Sequence, residues 1–128
     1  MIIYTDNIND TSENQLNGFF VEWLKPLTPQ KHYELLQGSS HFVVAINQET
    51  NQVVGFITAL SDGVLASFIP LLEVLPEYKN KGIGTRLMEE ILKKLSNIPN
   101  IDLLCDAELQ PFYERFKMHK AHGMLIRK

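Results

Sequence analysis

Residues 71–92, LLEVLPEYKNKGIGTRLMEEIL, place three patterns end to end. LLEV is a strand-like apolar run ending at Val74, and PEYKNKGIGT is a loop with basic side chains and two glycines. From Ile83 the apolar residues Leu87, Met88, Ile91, Leu92 and, just beyond, Leu95 recur at the spacing of one helix face. Glu89/Lys93 and Glu90/Lys94 supply i,i+4 pairs on the solvent side, and Pro99 closes the segment. At such a helix start the first N–H groups have no intrahelical acceptor, and the helix dipole is positive. Gly82 and Gly84 remove Cβ atoms that would hold an anion off those amides, while Lys79, Lys81 and Arg86 raise the local potential. The unit predicts a phosphate seat. Its bland alternative is a tight strand-to-helix turn with solvated lysines.

Upstream, VLASFIPLLEV (64–74) reads as one long strand interrupted by Pro70, which cannot donate to a ladder and so predicts a bulge or a splay. HFVVAIN (41–47) and QVVGFITAL (52–60) are β-rich runs joined by QETN, hence an antiparallel hairpin, and SDG (61–63) turns the chain into the next strand. Thr28 and Pro29 are the N-cap and first-turn pair of a helix that Gly38 ends. Ser12 and Gln15 fit a capping box opening an earlier helix, with Leu16, Phe19, Phe20, Trp23 and Leu24 on one stripe up to Pro26. A short β-prone start covers Ile2 to Thr5. Downstream, IDLLC (101–105) reads as a short strand, LQPFYERF (109–116) as a short amphipathic helix and MHKAHGMLIRK (118–128) as a last strand or tight hairpin. The order β, α, α, β, β, β, α, β, α, β predicts an α/β (α+β) fold: a mixed sheet flanked by helices, in a single domain over residues 1–128.

At 128 residues with 45% hydrophobic and 21% charged composition, the chain is of ordinary globular type. The net charge of -3 argues against a nucleic-acid partner, which wants a basic face. Cys105 is the only cysteine, so no internal disulfide and no cysteine metal cage can form, and the four histidines show no ligand-like spacing. No basic, apolar leader opens the sequence and no apolar run is long enough to cross a bilayer, so a cytoplasmic protein with no membrane partner is expected. Monomer and homodimer are both compatible with the sequence.

Other phosphate loops fit poorly: no G-x-x-x-x-G-K-[ST] is present, and a dinucleotide fingerprint would need glycine where Leu87 stands. The segment resembles motif A of the GCN5-related N-acetyltransferases (GNAT), with its bulged strand and P-x-[YF]-[RQ]-x-x-G-x-[GA] loop. DLLCDAELQPFYERFKM (102–118) resembles motif B, close to the form in aralkylamine acetyltransferases. The resemblance spans residues 40 to 118. It implies the GNAT fold, a mostly antiparallel sheet splayed at its fourth strand, and acetyl-CoA as cosubstrate with an amine as acceptor. It also implies that backbone groups of Leu72, Glu73 and Val74 meet the pantetheine arm, and that Lys79 and the amides of Asn80, Lys81, Gly82, Ile83, Gly84 and Thr85 hold the pyrophosphate. Lys79 stands where the family has Gln or Arg, keeping charge without the fork. Lys117 stands where the family has glycine.

The implied reaction is direct attack of a primary amine on the thioester in a ternary complex. Only the neutral amine attacks, the oxyanion needs a donor, and the thiolate needs stabilisation. By resemblance the Val74 N–H serves the oxyanion and the Tyr113 hydroxyl the sulfur. Glu73 is the candidate base acting through water, and a solvent-facing edge residue is the alternative reading. The histidines that aralkylamine enzymes carry on this strand are replaced by Pro70 and Leu75, so the aromatic-amine substrate does not transfer. Cys105 lacks a nearby activating group in sequence and is read as inert. Two other functions are open: a non-catalytic acyl-CoA-binding module, and a nucleotide-binding or interaction domain using the same loop.

Overall fold

The computed structural model, covering Met1–Lys128, is built on a five-stranded sheet whose spatial order follows the chain: β1 (Ile2–Thr5), β2 (His41–Asn47), β3 (Gln52–Ser61), β4 (Ala66–Val74) and β5 (Asn100–Asp102). The first three pairings are antiparallel, and β5 runs parallel to β4. β2 and β3 are nearly continuous apolar runs because both faces of the sheet are covered there. The helix α2 (Ile83–Lys94) buries Ile83, Leu87, Met88 and Ile91 against one face, closing onto β3 at Gly55. A Cβ at Gly55 would lie 3.2 Å from side-chain carbons of both Ile83 and Leu87, so glycine sets how near the helix sits. The opposite face carries α1 (Pro29–Gly38), capped as expected by the Thr28 hydroxyl, which accepts from the Lys31 N–H at 3.2 Å. There His32, Phe19 and Phe20 cluster on Phe56.

The Pro70 expectation holds. Thr58 pairs with Leu71 and Leu60 with Phe68, so two residues of β4, Ile69 and Pro70, oppose Ala59 alone: a bulge. Pairing between β4 and β5 ends at Phe68 with Asp102, while β4 runs on to Val74. Beyond the bulge the two strands part, giving the mixed, mostly antiparallel, splayed sheet expected.

Four elements differ from expectation. Residues 12–24 form no long helix. The Ser12 N–H does reach Gln15 Oε1 (2.8 Å), but only a single 3-10 turn, Glu13–Gln15, follows. Tertiary bonds override the helical pattern: the Gln15 amide donates to the Asn51 carbonyl at 2.9 Å, and the Phe20 N–H is captured by the Glu73 carboxylate. The chain passes through left-handed backbone at Gly18 (φ 91°) and Phe20 (φ 63°). Leu16, Phe19 and Phe20 are still buried, whereas Trp23 and Leu24 are exposed. The segment is an irregular strap. The strand expected over 101–105 stops at Asp102, and the helix expected over 109–116 contracts to α3 (Gln110–Glu114) behind a 3-10 turn. Residues 118–128 form no strand or hairpin, so the sheet ends at β5.

Candidate active site

Where β4 and the chain after β5 part, the gap opens into a groove of about 960 Å³. One end is the loop before α2. Gly82 is the N-cap of α2, in left-handed backbone (φ 82°), and a Cβ there would meet nothing within 4 Å. The first bond closing the helix runs from the Arg86 N–H to the Gly82 carbonyl at 3.0 Å. No backbone carbonyl accepts from the N–H groups of Asn80, Lys81, Gly82, Ile83, Gly84 or Thr85. Six consecutive N–H donors without a backbone partner thus stand at the positive end of a twelve-residue helix.

The charges around that seat differ from those read in the sequence. Lys79 lines the groove; Lys81 instead holds its ammonium 5.4 Å from the Tyr78 ring centroid. Arg86 turns away to Glu90 (3.0 Å) and lies over the Tyr4 ring. Arg115, which the sequence reading did not single out, takes the vacant role: it lines the groove and donates to Thr85 Oγ1 at 3.0 Å. Its place one turn from Phe112 on the short helix was the available signal.

The long wall of the groove is β4. The Leu75 N–H donates to the Val54 carbonyl at 2.9 Å, which makes that a hydrogen-bonded pair of the antiparallel ladder. By alternation Glu73 also turns its main chain toward β3, and Leu72 and Val74 turn theirs to the gap. Of the three residues expected to meet the pantetheine arm by backbone, Glu73 therefore offers only its side chain. That carboxylate is half-buried, lines the groove and accepts from the Phe20 N–H at 3.0 and 3.2 Å. Burial raises its pKa above the ordinary carboxylate value, Glu22 adds to the rise, and the Phe20 hydrogen bond and Lys79 oppose it.

α3 supplies the facing wall. Phe112 packs over the first turn of α2, its ring 3.7 Å from where a Gly84 Cβ would stand. Tyr113 lines the groove beside it, the two rings edge to face at 5.0 Å. Burial, with a smaller contribution from Cys105, pushes the Tyr113 hydroxyl up to about 12. The Cys105 thiol is itself held above its usual value by burial, Asp106 and Glu108, which disfavours the reactive thiolate. Lys117, just past α3, adopts the left-handed conformation (φ 66°) that a glycine would hold without strain. The groove thus brings together the residues predicted for the site except Lys81 and Arg86, and adds the strap residues Phe20 to Trp23.

A sheet parted beyond its fourth strand, with an amide-lined helix start at the gap, is the acyl-CoA N-acyltransferase fold. The chain belongs to the GNAT acetyltransferases: the family described as "Acetyltransferase (GNAT) domain" matches residues 7–121. It is 38% identical to a protein of Deinococcus radiodurans R1 whose crystal structure was solved as a candidate acetyltransferase, with a TM-score of 0.96 over 99% of this chain and 88% of that one. It is 32% identical over 69 residues to the chloroplastic GCN5-related N-acetyltransferase 2 of Arabidopsis thaliana, covering 52% of this chain. An "uncharacterized N-acetyltransferase" of Porphyra purpurea is 27% identical over 116 residues, or 87% of this chain. The chain spans 27% and 65% of the lengths of these two relatives.

Proposed function

We propose that the chain transfers an acetyl group from acetyl-CoA to a primary amine, with both substrates bound in the groove. The observation that carries this is the run of six unpaired amides from Asn80 to Thr85 at the mouth of a gap toward which Leu72 and Val74 turn their main chain. A diphosphate on the amides, assisted by Lys79 and Arg115, leaves a pantetheine arm to pair with β4 as an added strand.

The chemistry then falls to three groups. The Val74 N–H, facing the gap, donates to the oxyanion that forms when nitrogen bonds to the thioester carbon. An amine with a pKa near ~10.4 is neutral in only about one molecule in a thousand near pH 7.4, and that fraction attacks. Once the C–N bond has formed, the nitrogen is far more acidic, and Glu73 accepts its proton through water. Collapse breaks the C–S bond, and the sulfur leaves with its electron pair beside the Tyr113 hydroxyl. The products are the acetamide, the free thiol and one proton released to solvent. Tyr113 acts as a hydrogen-bond donor rather than as a full acid, since its pKa of about 12 lies far above a thiol's.

Two measurements on the full chain test this reading. Calorimetric titration with acetyl-CoA should show one site, and thiol release should accelerate when amines are added. Binding without release across a broad amine panel would leave an acyl-CoA-binding module. Competition by ATP, with desulfo-coenzyme A without effect, would replace it with a nucleotide site.

A further inference from the structure

On the side of the sheet far from β5, β1 stops before β2 does. The Gln48 N–H donates to the Met1 carbonyl at 3.0 Å, so by alternation Ile3–Ile46 and Thr5–Val44 are the bonded pairs of β1 with β2. Phe42 is the next residue of β2 to turn its main chain to that side, and its partner in register would be Asn7. Asn7 instead gives its N–H to the Thr5 hydroxyl at 3.1 Å, and its carbonyl accepts from the Asp10 N–H at 2.9 Å, which carries the chain off into the 3-10 turn Ile8–Asp10. The N–H and C=O of Phe42 are left without a backbone partner, as are those of Ser40, two residues earlier in the alternation. Both residues line a cavity of about 720 Å³, and none of its lining residues belongs to the groove.

We infer that this open edge is a docking site for an extended peptide of another protein, which adds a strand to β2 where β1 leaves off. Donors and acceptors that recur at every second residue of a strand are complementary to another main chain, set antiparallel to β2 as β1 is. The walls limit what enters. α1 and α2 cover opposite faces of the sheet and both end at this cavity, with Leu36 and Gln37 from the one and Lys94 from the other. A single extended chain of about four residues fits between them, whereas the edge of a second folded sheet brings its own helices with it. Side-chain choice follows from parity. A peptide residue paired with Phe42 points its side chain to the face of Phe42, where the buried Leu36 lines the cavity, so it is apolar. The next residue, opposite His41, points to the other face, where Lys94 is ion-paired with Asp6, so it is polar.

The probes are acetyl-Ser-Val-Thr-Val-Ser-amide and acetyl-Ser-Leu-Gln-Leu-Ser-amide, titrated into the full chain and followed by amide NMR. Saturable downfield movement of the Phe42 amide, with slower exchange, is expected for at least one of them. N-methylation of either apolar residue of the binding peptide removes an N–H that faces β2 and should weaken binding about 5- to 10-fold. N-methylation of its central residue, whose N–H points away from β2, should change binding by less than about twofold. Gln37→Trp, at the exposed end of α1, should fill the cavity and abolish the Phe42 response with the urea midpoint unchanged, and Gln37→Ala should retain it. Equal weakening by all three N-methylations, or no saturable response to either peptide, would overturn the inference. A Phe42 shift produced by concentrating the protein alone would overturn it as well, in favour of a second copy of this chain on that edge.

Discussion

Replacing Tyr113 by phenylalanine removes one hydroxyl and keeps the ring that packs edge to face on Phe112. With the hydroxyl at about 12 and a thiol near ~8.5, complete proton transfer to the departing sulfur is uphill by ~3.5 units, about 5 kcal/mol. The hydroxyl therefore acts by donating to sulfur as negative charge develops there. A hydrogen bond to a charged partner contributes about 1.5–3 kcal/mol, which corresponds to a loss of roughly 10- to 150-fold in kcat. Because the ground-state thioester sulfur is a weak acceptor, the acetyl-CoA Kd should change less than threefold. Initial rates of thiol release at saturating acetyl-CoA and amine give kcat, and calorimetry gives Kd. A kcat within threefold of the parent, or a Kd that rises in step with the loss of kcat, would refute the role assigned to Tyr113.

The remaining predictions concern how the fold holds the site. Gly55→Ala pushes a methyl to 3.2 Å from Ile83 and Leu87, so it should cost about 1–3 kcal/mol in urea unfolding and weaken coenzyme A binding several-fold by displacing the start of α2. Lys117→Gly relieves left-handed strain and should add about 1 kcal/mol of stability by the same measurement, with turnover retained. His32 is buried with both ring nitrogens unpartnered, and burial lowers its pKa from 6.5 to about 4. Its folded value lies below its unfolded one, so its contribution is fully present above pH ~6.5 and fades as pH falls toward ~4, a loss of about 3 kcal/mol. His32→Leu should flatten that part of the stability profile; an unchanged slope would show that His32 does not titrate as described.

The sheet was legible because its signals are local: the β-rich apolar runs of β2 and β3, the Thr28–Pro29 start of α1, the helical spacing of α2, and Pro70 as the point where β4 bulges. The strap was not. Its capping box and apolar stripe are genuine helical signals, and what defeats them are bonds to Asn51 and Glu73, residues far along the chain. The C-terminal residues carry strand-like composition, yet within this chain they pair with no strand. At the site, residue type and spacing pointed to the amide loop, Tyr113 came only through the motif B resemblance, and the fold brings the two into one groove. Side-chain direction was beyond reach: of three basic residues near the loop only Lys79 faces the groove, and the second cation, Arg115, comes from a helix some thirty residues on. Ladder parity likewise needed the register, which turns Leu72 and Val74 to the gap and Glu73 away from it.

The claim beneath the whole account is that the free main-chain hydrogens of one loop receive a diphosphate. Amide NMR of the full chain, titrated with coenzyme A and in parallel with pantetheine, addresses it residue by residue. Coenzyme A should move the Asn80 to Thr85 resonances downfield together and slow their exchange with solvent, while pantetheine, lacking the diphosphate, leaves them in place. Saturable binding of coenzyme A with those six resonances unmoved would contradict the account.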